Sequence, residues 1–440
     1  MTDAARHEES EQTTAGSYFV ANYPAFSFWQ QGTRDAVVRH LDRPRAVDSE
    51  LGIYVHVPFC RKRCDFCYFR VYTDKNSHAV KHYIDAVLRE AETAARFAAI
   101  RGRKPKFVYF GGGTPSYLSV EQLETLFTGL QKVLPWDEAL EVTFECEPGT
   151  LQEKKIDALR ELGVTRLSLG VENFDPEILE LNNRAHRAKE IHAAYEYARA
   201  AGFPQINIDL ISGMVGETDA GWQDCIAKTR ALAPESVTIY QMEIPFNTTV
   251  YRRMRDGNTE IAPVADWETK RRWVDEAFAA LENDGYHVGS AYTACKDDSV
   301  HFRYRDALWH GADLLGLGVS SFSHVQGMHF QNDAAFEPYC DAAHAGELPA
   351  YRSLLLNDDD RLTREFVLQL KLGHVPLAYF RDKFGVDPAE RFAAALAEHR
   401  SHGYLTVDRD AVTLTRRGLL QVDRLLESFF DDRYRTVRSA

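Results

Sequence analysis

Six short β-rich segments, separated by stretches with helical periodicity, constrain the fold of this chain more than any other feature. Strands are predicted at residues 52–59, 107–110, 141–146, 166–171, 206–211 and 237–244. Helices are predicted at residues 80–99, 120–134, 151–162, 177–201 and 222–232. Strands that alternate with helices form parallel sheets joined by right-handed crossovers. The pattern therefore predicts an α/β fold, a partial (β/α)6 TIM-like barrel, with its chemistry at the carboxyl ends of the strands.

The rest of the chain is divided by composition. Residues 1–16 are polar and predict a disordered tail, residues 17–50 form an N-terminal arm, and residues 51–260 hold the barrel. Residues 261–356 extend the barrel and contain a glycine-rich run, and residues 357–440 form a mainly helical C-terminal domain that could have a winged-helix shape.

The charge balance limits the classes of partner. The chain has 52 basic and 65 acidic side chains, a formal charge of −13. A chain of that charge lacks the positive field that holds phosphate backbones, so we expect no nucleic-acid partner. Its apolar runs are far shorter than the roughly 20 residues that cross a bilayer, and its first residues show no secretory signal. We therefore expect a cytoplasmic protein without a membrane span.

Three of the seven cysteines, Cys60, Cys64 and Cys67, lie within eight residues directly after the first strand. An odd number with one tight group does not indicate a disulfide framework. Thiolates are the ligands of iron–sulfur clusters, and this CxxxCxxC spacing lets one loop hold three corners of a [4Fe–4S] cube. The fourth iron would then be open to a ligand. The alternative is a structural zinc site, although zinc usually takes four closed ligands.

The residues around these cysteines resemble the radical S-adenosylmethionine (SAM) superfamily. The resemblance rests on residues 53–60, Ile-Tyr-Val-His-Val-Pro-Phe-Cys, with CxxxCxxC, and on residues 111–116, Gly-Gly-Gly-Thr-Pro-Ser. Within the superfamily, the chain resembles the branch of oxygen-independent coproporphyrinogen III oxidase, which includes class C methyltransferases and cyclopropane-forming enzymes. The resemblance runs from about Tyr18 into the C-terminal domain. It implies a [4Fe–4S] cluster that binds and cleaves SAM, and an electron donor such as flavodoxin or ferredoxin.

Three carboxylates are predicted to converge near this cluster. Glu145, Glu172 and Asp209 lie at or near the ends of the third, fourth and fifth strands. Like charges in one opening are costly unless cations join them, and SAM carries an ammonium and a sulfonium. Arg184 supplies a guanidinium for a carboxylate or ribose. For each acid alone, a strand-end cap or a surface ion pair is the alternative.

The resemblance also implies which residues contact the cofactors. Those matching the positions that hold SAM on the cluster are Tyr54, Gly112 and Glu145. Those matching the surroundings of a second SAM are Phe66, Gly113, Thr114, Glu172, Arg184 and Asp209. Two further contacts, Glu243 near the second SAM and Phe322 near adenine or methionine, complete the cofactor-binding set. The resemblance therefore predicts two SAM molecules.

Two residues are predicted to be catalytic, Glu172 and His324. His324 ends a glycine-rich run, residues 313–324, that resembles the cofactor loop of the oxidase. Imidazole titrates near neutral pH and could accept a proton, although an isolated loop histidine is more often a hydrogen-bonded bystander.

The chain departs from the oxidase pattern at three positions. Glu172 stands where the oxidases have Gln, Glu243 where they have a small residue, and Phe69 where they have a further cysteine. The aromatic arm, residues 18–29 with Asn-Tyr-Pro at 22–24, resembles the leader of the oxidases and their methylating relatives. It could reach over the active site or simply pack against the barrel.

These departures set the order of three functional hypotheses. The first is radical methylation or cyclopropanation of an unsaturated carbon, with a second SAM as carbon donor. The alternative is oxidative decarboxylation of coproporphyrinogen III to protoporphyrinogen IX, for whose four propionates an acidic mouth is a poor match. A haem chaperone on the same scaffold is the third.

Overall fold

The strands of a single large sheet organise most of the chain. The computed structural model describes residues 11–14, 16–17, 19–45, 48–255 and 264–435. Most of the expected disordered tail and Tyr18 of the arm therefore lie outside the described residues. The strands are β1 Gln30–Gln31, β2 Leu51–Val57, β3 Phe107–Gly112, β4 Glu141–Cys146, β5 Arg166–Glu172, β6 Gln205–Ser212, β7 Ser236–Gln241, β8 His287–Val288, β9 Thr293–Cys295, β10 Asp313–Leu317, β11 Phe322–Val325, β12 Met328–Asn332, β13 Ala350–Leu355, β14 His374–Pro376, β15 Leu405–Val407 and β16 Ala411–Leu414.

The first thirteen strands form one sheet in the order β1-β13-β12-β11-β10-β2-β3-β4-β5-β6-β7-β9-β8. Every neighbouring pair from β10 to β7 in that order is parallel. In the described part of the chain, β1 and β8 remain edges, so the sheet curves as an open, partial barrel. The predicted α/β class is confirmed, with β10 as a seventh parallel strand beside the six that the sequence predicts.

Helices cover the sheet and connect its successive parallel strands. Their bounds are α1 Arg34–Leu41, α2 Ser77–Ala94, α3 Val120–Val133, α4 Glu153–Glu161, α5 Pro176–Leu181, α6 Ala188–Ala200, α7 Asp219–Leu232, α8 Thr249–Arg255, α9 Trp267–Asn283, α10 Arg303–Trp309, α11 Phe336–His344, α12 Asp358–Leu370, α13 Leu377–Phe384, α14 Pro388–Arg391, α15 Ala393–Ser401, α16 Arg416–Leu419 and α17 Val422–Leu426. None of the described helices is long and apolar enough to cross a bilayer.

Local sequence explains why the central elements form. Ile53, Val55 and Val57 of β2 are buried, as expected of a strand covered on both faces. A Cβ on Gly52 would lie 1.8 Å from the Phe107 ring, so only glycine lets β2 and β3 approach this closely. Helix α3 begins at a capping box in which Ser119 and Gln122 satisfy each other's backbone N–H groups.

Two predicted elements are wrong in detail. The single helix predicted at residues 177–201 is two helices, α5 and α6, because Asn183 adopts a left-handed conformation (φ 59°) between them. The glycine-rich run predicted as a cofactor loop forms β10 and β11, which pair as an antiparallel hairpin. A Cβ on Gly316 would lie 2.3 Å from the carbonyl oxygen of Phe322, so this glycine permits strand pairing rather than ligand approach.

The C-terminal domain has its own core. Helices α12–α17 surround a small antiparallel sheet in the order β14-β16-β15. Phe366 stacks on Phe392 with ring centroids 4.7 Å apart and meets Phe429 edge-on at 5.3 Å. The predicted mainly helical domain is confirmed, and the small sheet agrees with a winged-helix shape. The boundaries between the segments stay predictions.

Candidate active site

A cavity of about 410 Å³ lies at the carboxyl ends of the parallel strands. Strand-end residues from β3 to β7 line it, together with Phe19 of the arm and residues 419–424 of the C-terminal domain. The prediction that this edge of the sheet carries the site therefore matches the position of the cavity. Phe19 of the arm lines the cavity, while Phe26 and Trp29 pack against Phe322, and a role of the arm over the active site stays a prediction.

The cluster loop, which we define as residues 60–67, forms one wall. Its three thiols line the cavity. The loop is held by backbone hydrogen bonds from Cys60 N to Tyr72 O (3.1 Å) and from Asp65 N to Asn182 O (3.1 Å). Tyr72 follows the loop in the chain, whereas Asn182 caps the end of α5, so the loop's shape depends in part on an element distant in sequence.

The thiols have the environment that a thiolate-bound cluster needs. Thr114 Oγ1 donates to Cys60 Sγ at 3.3 Å, and Arg184 Nη1 donates to Cys64 Sγ at 3.2 Å. Burial raises the pKa of Cys60 to about 11 and that of Cys67 to about 12, so neither is a free thiolate on its own. A bound cation deprotonates such thiols. The donor set therefore fits a [4Fe–4S] cluster held by the three cysteines.

Close packing explains why residues 111–113 are glycines. Gly112 has φ 113°, and a Cβ there would lie 2.5 Å from the His56 ring. A Cβ on Gly113 would lie 2.9 Å from the backbone of residues 57–59. Because packing alone demands both glycines, their contact with SAM stays a prediction.

The three predicted carboxylates converge on the cavity. Tyr109 donates its hydroxyl to Glu145 Oε1 at 2.6 Å, and Gly112 N donates to Oε2 at 3.1 Å. Ser168 Oγ donates to Asp209 Oδ2 at 2.8 Å. Burial, with the neighbouring acids, raises the pKa of Glu145 and of Glu172 to about 7, and burial raises that of Asp209. The three carboxyl groups thus favour a cationic ligand, because a nearby positive charge would lower their pKa values and restore the carboxylate forms.

Glu172 is held in a strained backbone conformation. It has φ 64°, in the left-handed region, and it follows an irregularity in the β5–β6 register between Gly170 and Glu172. Its Oε1 lies 3.4 Å from Arg184 Nη2, and that nitrogen also donates to Gly170 O at 2.5 Å. Among the described residues, the buried Nε of Arg184 has no hydrogen-bond partner. Strain of this kind concentrates at functional sites and supports a ligand role for this pair.

The remaining predicted SAM contacts differ in position. Phe66 and Thr114 line the cavity as expected. Tyr54 is not among the lining residues; its hydroxyl lies 3.1 Å from His56 Nδ1. Phe322 is also outside the lining and packs against Phe26 and Trp29 of the arm, so its contact with adenine or methionine stays a prediction.

His324 is not placed to act on a substrate in the cavity. It is buried, and its Nδ1 lies 3.1 Å from Nδ1 of His329. Burial and the nearby Arg364 lower the pKa of His324 well below its usual value. His324 is not among the residues that line the cavity, so the structure gives its catalytic role no support and that role stays a prediction.

Glu243 lines the cavity but is engaged by the arm. Its Oε2 accepts from Ser17 Oγ at 2.6 Å, and its Oε1 accepts from Phe19 N at 2.9 Å. The structure thus gives Glu243 an anchoring role that the sequence does not predict. Its contact with a second SAM stays a prediction.

Several lining residues escape sequence reasoning. Arg271 of α9 and Arg424 of α17 bring guanidinium groups to the cavity, and Tyr240 ends β7 beside it. Arg271 Nη1 pairs with Glu11 at 3.1 Å, while its buried Nη2 has no partner among the described residues. No local signal marks these arginines, since only the tertiary fold brings α9 and the C-terminal domain to the barrel mouth.

Comparisons with known proteins agree with this geometry. The model of the radical SAM superfamily matches residues 54–228, and that of the HemN C-terminal domain matches residues 356–420. The oxygen-independent coproporphyrinogen III oxidase of Escherichia coli (strain K12) is 28% identical over 423 residues, covering 91% of this chain and 89% of that protein. The haem chaperone HemW of Bacillus subtilis (strain 168) is 27% identical over 381 residues, covering 86% of this chain and 99% of that protein.

A solved structure shows the same fold. The coproporphyrinogen III oxidase HemN from Escherichia coli superposes with a TM-score of 0.81 at 24% identity, over 93% of this chain and 96% of that one. Fold, cluster loop and family models together define a radical SAM protein with a [4Fe–4S] cluster and SAM as its implied cofactors. The chain therefore contains a radical SAM domain and a HemN C-terminal domain, and over most of its length it is similar to the oxygen-independent coproporphyrinogen III oxidases and to the haem chaperone HemW. These relatives favour oxidase or chaperone function over the methylation or cyclopropanation that the sequence analysis places first.

Proposed function

We propose that this radical SAM enzyme oxidatively decarboxylates a propionate-bearing tetrapyrrole of the coproporphyrinogen type. The supporting observation is that the similarity to the oxidases spans 91% of the chain and so includes the segments that enclose the cavity. When bound, the cluster and SAM supply a 5′-deoxyadenosyl radical. Each of the two propionates that react would lose one hydrogen atom to that radical, one electron to a one-electron acceptor, and CO₂, and become a vinyl group.

The charges of the cavity support separate binding sites for SAM and for the substrate. The carboxylates of Glu145, Glu172 and Asp209 suit the ammonium and sulfonium of SAM. Arg271, whose Nη2 has no partner among the described residues, suits a substrate carboxylate. An acidic chain can therefore still host propionates, because cations from outside the parallel strands line the same cavity.

The test for Arg271 uses a neighbouring arginine as its control. Loss of a charge-assisted hydrogen bond worth about 1.5–3 kcal/mol should raise the KM for coproporphyrinogen III about ten- to a hundredfold in Arg271→Met. Arg272→Met is the matched control, since Arg272 pairs with Asp219 and Glu276 and is not among the cavity-lining residues. Equal KM values for the two variants would remove Arg271 from substrate binding.

Carbon transfer from a second SAM is the second candidate. It is favoured by the strained Glu172 and by Phe69, which departs from the cysteine of the oxidases. The radical would then take hydrogen from a SAM methyl group, and the product would be methylated or cyclopropanated.

One anaerobic assay separates the candidates. Reconstituted protein is given coproporphyrinogen III, methyl-deuterated SAM and dithionite, and products are identified by mass spectrometry. Products that have lost carboxyl groups support decarboxylation. Deuterium in 5′-deoxyadenosine without decarboxylation overturns it in favour of carbon transfer, and stoichiometric haem binding without SAM cleavage overturns both in favour of a haem carrier.

A further inference from the structure

The interior of the barrel below the cavity is polar. Barrel interiors are usually filled by bulky apolar side chains. Here, five buried polar residues that do not line the cavity form what we define as the barrel floor: Thr143, Arg166, Asn207, Ser236 and Thr238. Strand register places them on the same face as the cavity-lining residues Ser168 and Asp209. Buried polar groups of this kind require a physical or functional explanation.

Hydrogen bonds connect the floor to one of the cavity carboxylates. Asn207 Nδ2 donates to Asp209 Oδ1 at 2.8 Å, and Ser168 Oγ donates to Asp209 Oδ2 at 2.8 Å. Asn207 Oδ1 in turn accepts from Ser236 Oγ at 2.8 Å and from Thr238 Oγ1 at 3.0 Å. A carboxylate has about four acceptor positions. The floor therefore fixes the orientation of Asp209 from below and leaves acceptor capacity for a ligand in the cavity.

Arg166 is the charged residue of the floor. It is 2% exposed, and its guanidinium carbon lies 4.1 Å from the centroid of the Phe302 ring. Among the described residues, its buried Nε and Nη1 have no hydrogen-bond partner. Burying a charge without such partners is costly, and contact with an aromatic face offsets only part of that cost. The charge of Arg166 can instead act on the acids above it through the protein interior, where charges interact more strongly than in water.

The charge of Arg166 lowers the pKa values of two acids that line the cavity. Burial raises the pKa of Asp209, while the hydrogen bond from Ser168 and the charge of Arg166 oppose that shift. Burial also raises the pKa of Glu145 to about 7, and Arg166 opposes the shift there too. The other titratable or charged groups around these residues are Tyr109, Glu172, Tyr240, Cys295 and Arg305. Of these, Arg305 is already paired with a neighbouring aspartate at 2.7 Å.

We propose that Arg166 is a positioning residue for SAM, because its buried charge holds Asp209 as a carboxylate whose cavity side stays free for a cation. SAM carries an ammonium and a sulfonium, and both bind an ionised acid better than a neutral one. An arginine at the mouth would occupy the carboxylate itself, as Arg184 does beside Glu172 at 3.4 Å, and would compete with the ligand. An arginine in the floor favours the ionised form from the opposite side. The inference rests on SAM binding in the proposed function and not on the tetrapyrrole substrate.

The test compares the pH dependence of SAM binding in the wild type and three variants. Reconstituted, anaerobic protein is titrated with SAM by calorimetry at pH 6, 7, 8 and 9. Arg166→Met should raise the midpoint of the binding profile by about one pH unit and lower the affinity at pH 7 about fivefold. Arg166→Lys keeps the charge and should keep the wild-type midpoint. The matched control is Arg103→Met, since Arg103 is also buried, pairs with Asp313 at 2.7 Å and lies outside the cavity lining. The midpoint of this control should not move.

The coupling to Asp209 gives a second measurement. In an Asp209→Asn background, Arg166→Met should shift the midpoint less than it does in the wild type, because one of the two carboxylates on which the charge acts is gone. An unmoved midpoint in Arg166→Met, a loss of affinity without a shift, or an equal shift in the Asp209→Asn background each overturns the proposal. If Arg166→Met does not fold, Arg166→Gln, which also removes the charge, decides in the same way. A shifted midpoint together with failure of the wild type to convert coproporphyrinogen III would overturn only the substrate proposal.

Discussion

The affinity for SAM should rise with pH, because Glu145 must lose a proton to meet a cation. Burial raises the pKa of Glu145 to about 7, although the hydroxyl of Tyr109 and the N–H of Gly112 oppose the shift. A positively charged ligand binds the carboxylate form better than the acid form. Binding therefore releases a proton, and the association constant increases as the pH rises through the pKa.

The size of the effect follows from the pKa. With a value of about 7, roughly a tenth of the Glu145 carboxyl groups are ionised at pH 6 and roughly nine-tenths at pH 8. The association constant should rise about tenfold across that interval, or about 1.4 kcal/mol. Glu172, whose pKa burial also raises to about 7, would add to the slope as a coupled group.

The measurement is isothermal titration of reconstituted, anaerobic protein with SAM at pH 6, 7 and 8. The amino group of SAM titrates in the same range, so the wild type must be compared with Glu145→Gln. Between pH 6 and pH 8 the association constant of the variant should rise about tenfold less than that of the wild type. Glu138→Gln is the control, because hydrogen bonds from Lys104 and Lys106 lower the pKa of exposed Glu138 to about 2. Parallel profiles for wild type and Glu145→Gln would refute the reasoning.

Three further predictions follow from contacts around the cavity. Replacing all three cluster-loop cysteines by Ala should reduce iron from about four atoms per chain to background, whereas Cys340→Ala, at a buried site outside the loop, should leave iron loading unchanged. Tyr109→Phe removes the hydroxyl donor to Glu145, so the midpoint of the SAM-binding pH profile should move up and affinity at pH 7 should fall about three- to tenfold; an unmoved midpoint contradicts this. Ser17→Ala removes one of the two hydrogen bonds to Glu243 and should speed proteolytic cleavage of the arm without loss of iron; unchanged cleavage would show that the arm's other contacts hold it without this bond.

The sequence predicts the part of the site that local pattern and sheet topology determine. Parallel strands place their carboxyl ends at one edge, so acids at the ends of β4 and β5 and on β6 had to meet near the loop that leaves β2. That reasoning locates Glu145, Glu172 and Asp209 correctly. It cannot reveal the left-handed backbone of Glu172, because that conformation depends on the irregular β5–β6 pairing.

The wrong prediction of a loop at residues 313–324 has its physical origin in pairing between distant segments. The run at residues 313–324 is rich in glycine, which is typical of a loop, but β10 pairs with β2 more than 250 residues away. Once that run is strand, alternation decides where each side chain points. Ser323 and His324 are then buried and Phe322 meets the arm, and neither Phe322 nor His324 is among the residues that line the cavity.

The N-terminal arm connects the barrel to the C-terminal domain at the cavity, and this connection bears on the choice between an enzyme and a haem carrier. Its backbone bridges the two domains: Phe19 N donates to Glu243 of the barrel, and Val20 N donates to Asp423 of the C-terminal domain at 2.9 Å. The buried Lys371 completes the junction, donating to Val20 O at 2.6 Å and pairing with Asp423 at 2.8 Å. Without the arm, Lys371 would lose a buried acceptor, which costs about 1–3 kcal/mol. The arm is therefore part of the cavity wall, and a wall tied to both domains suits an enzyme that must shield a radical from water better than a carrier that must release haem.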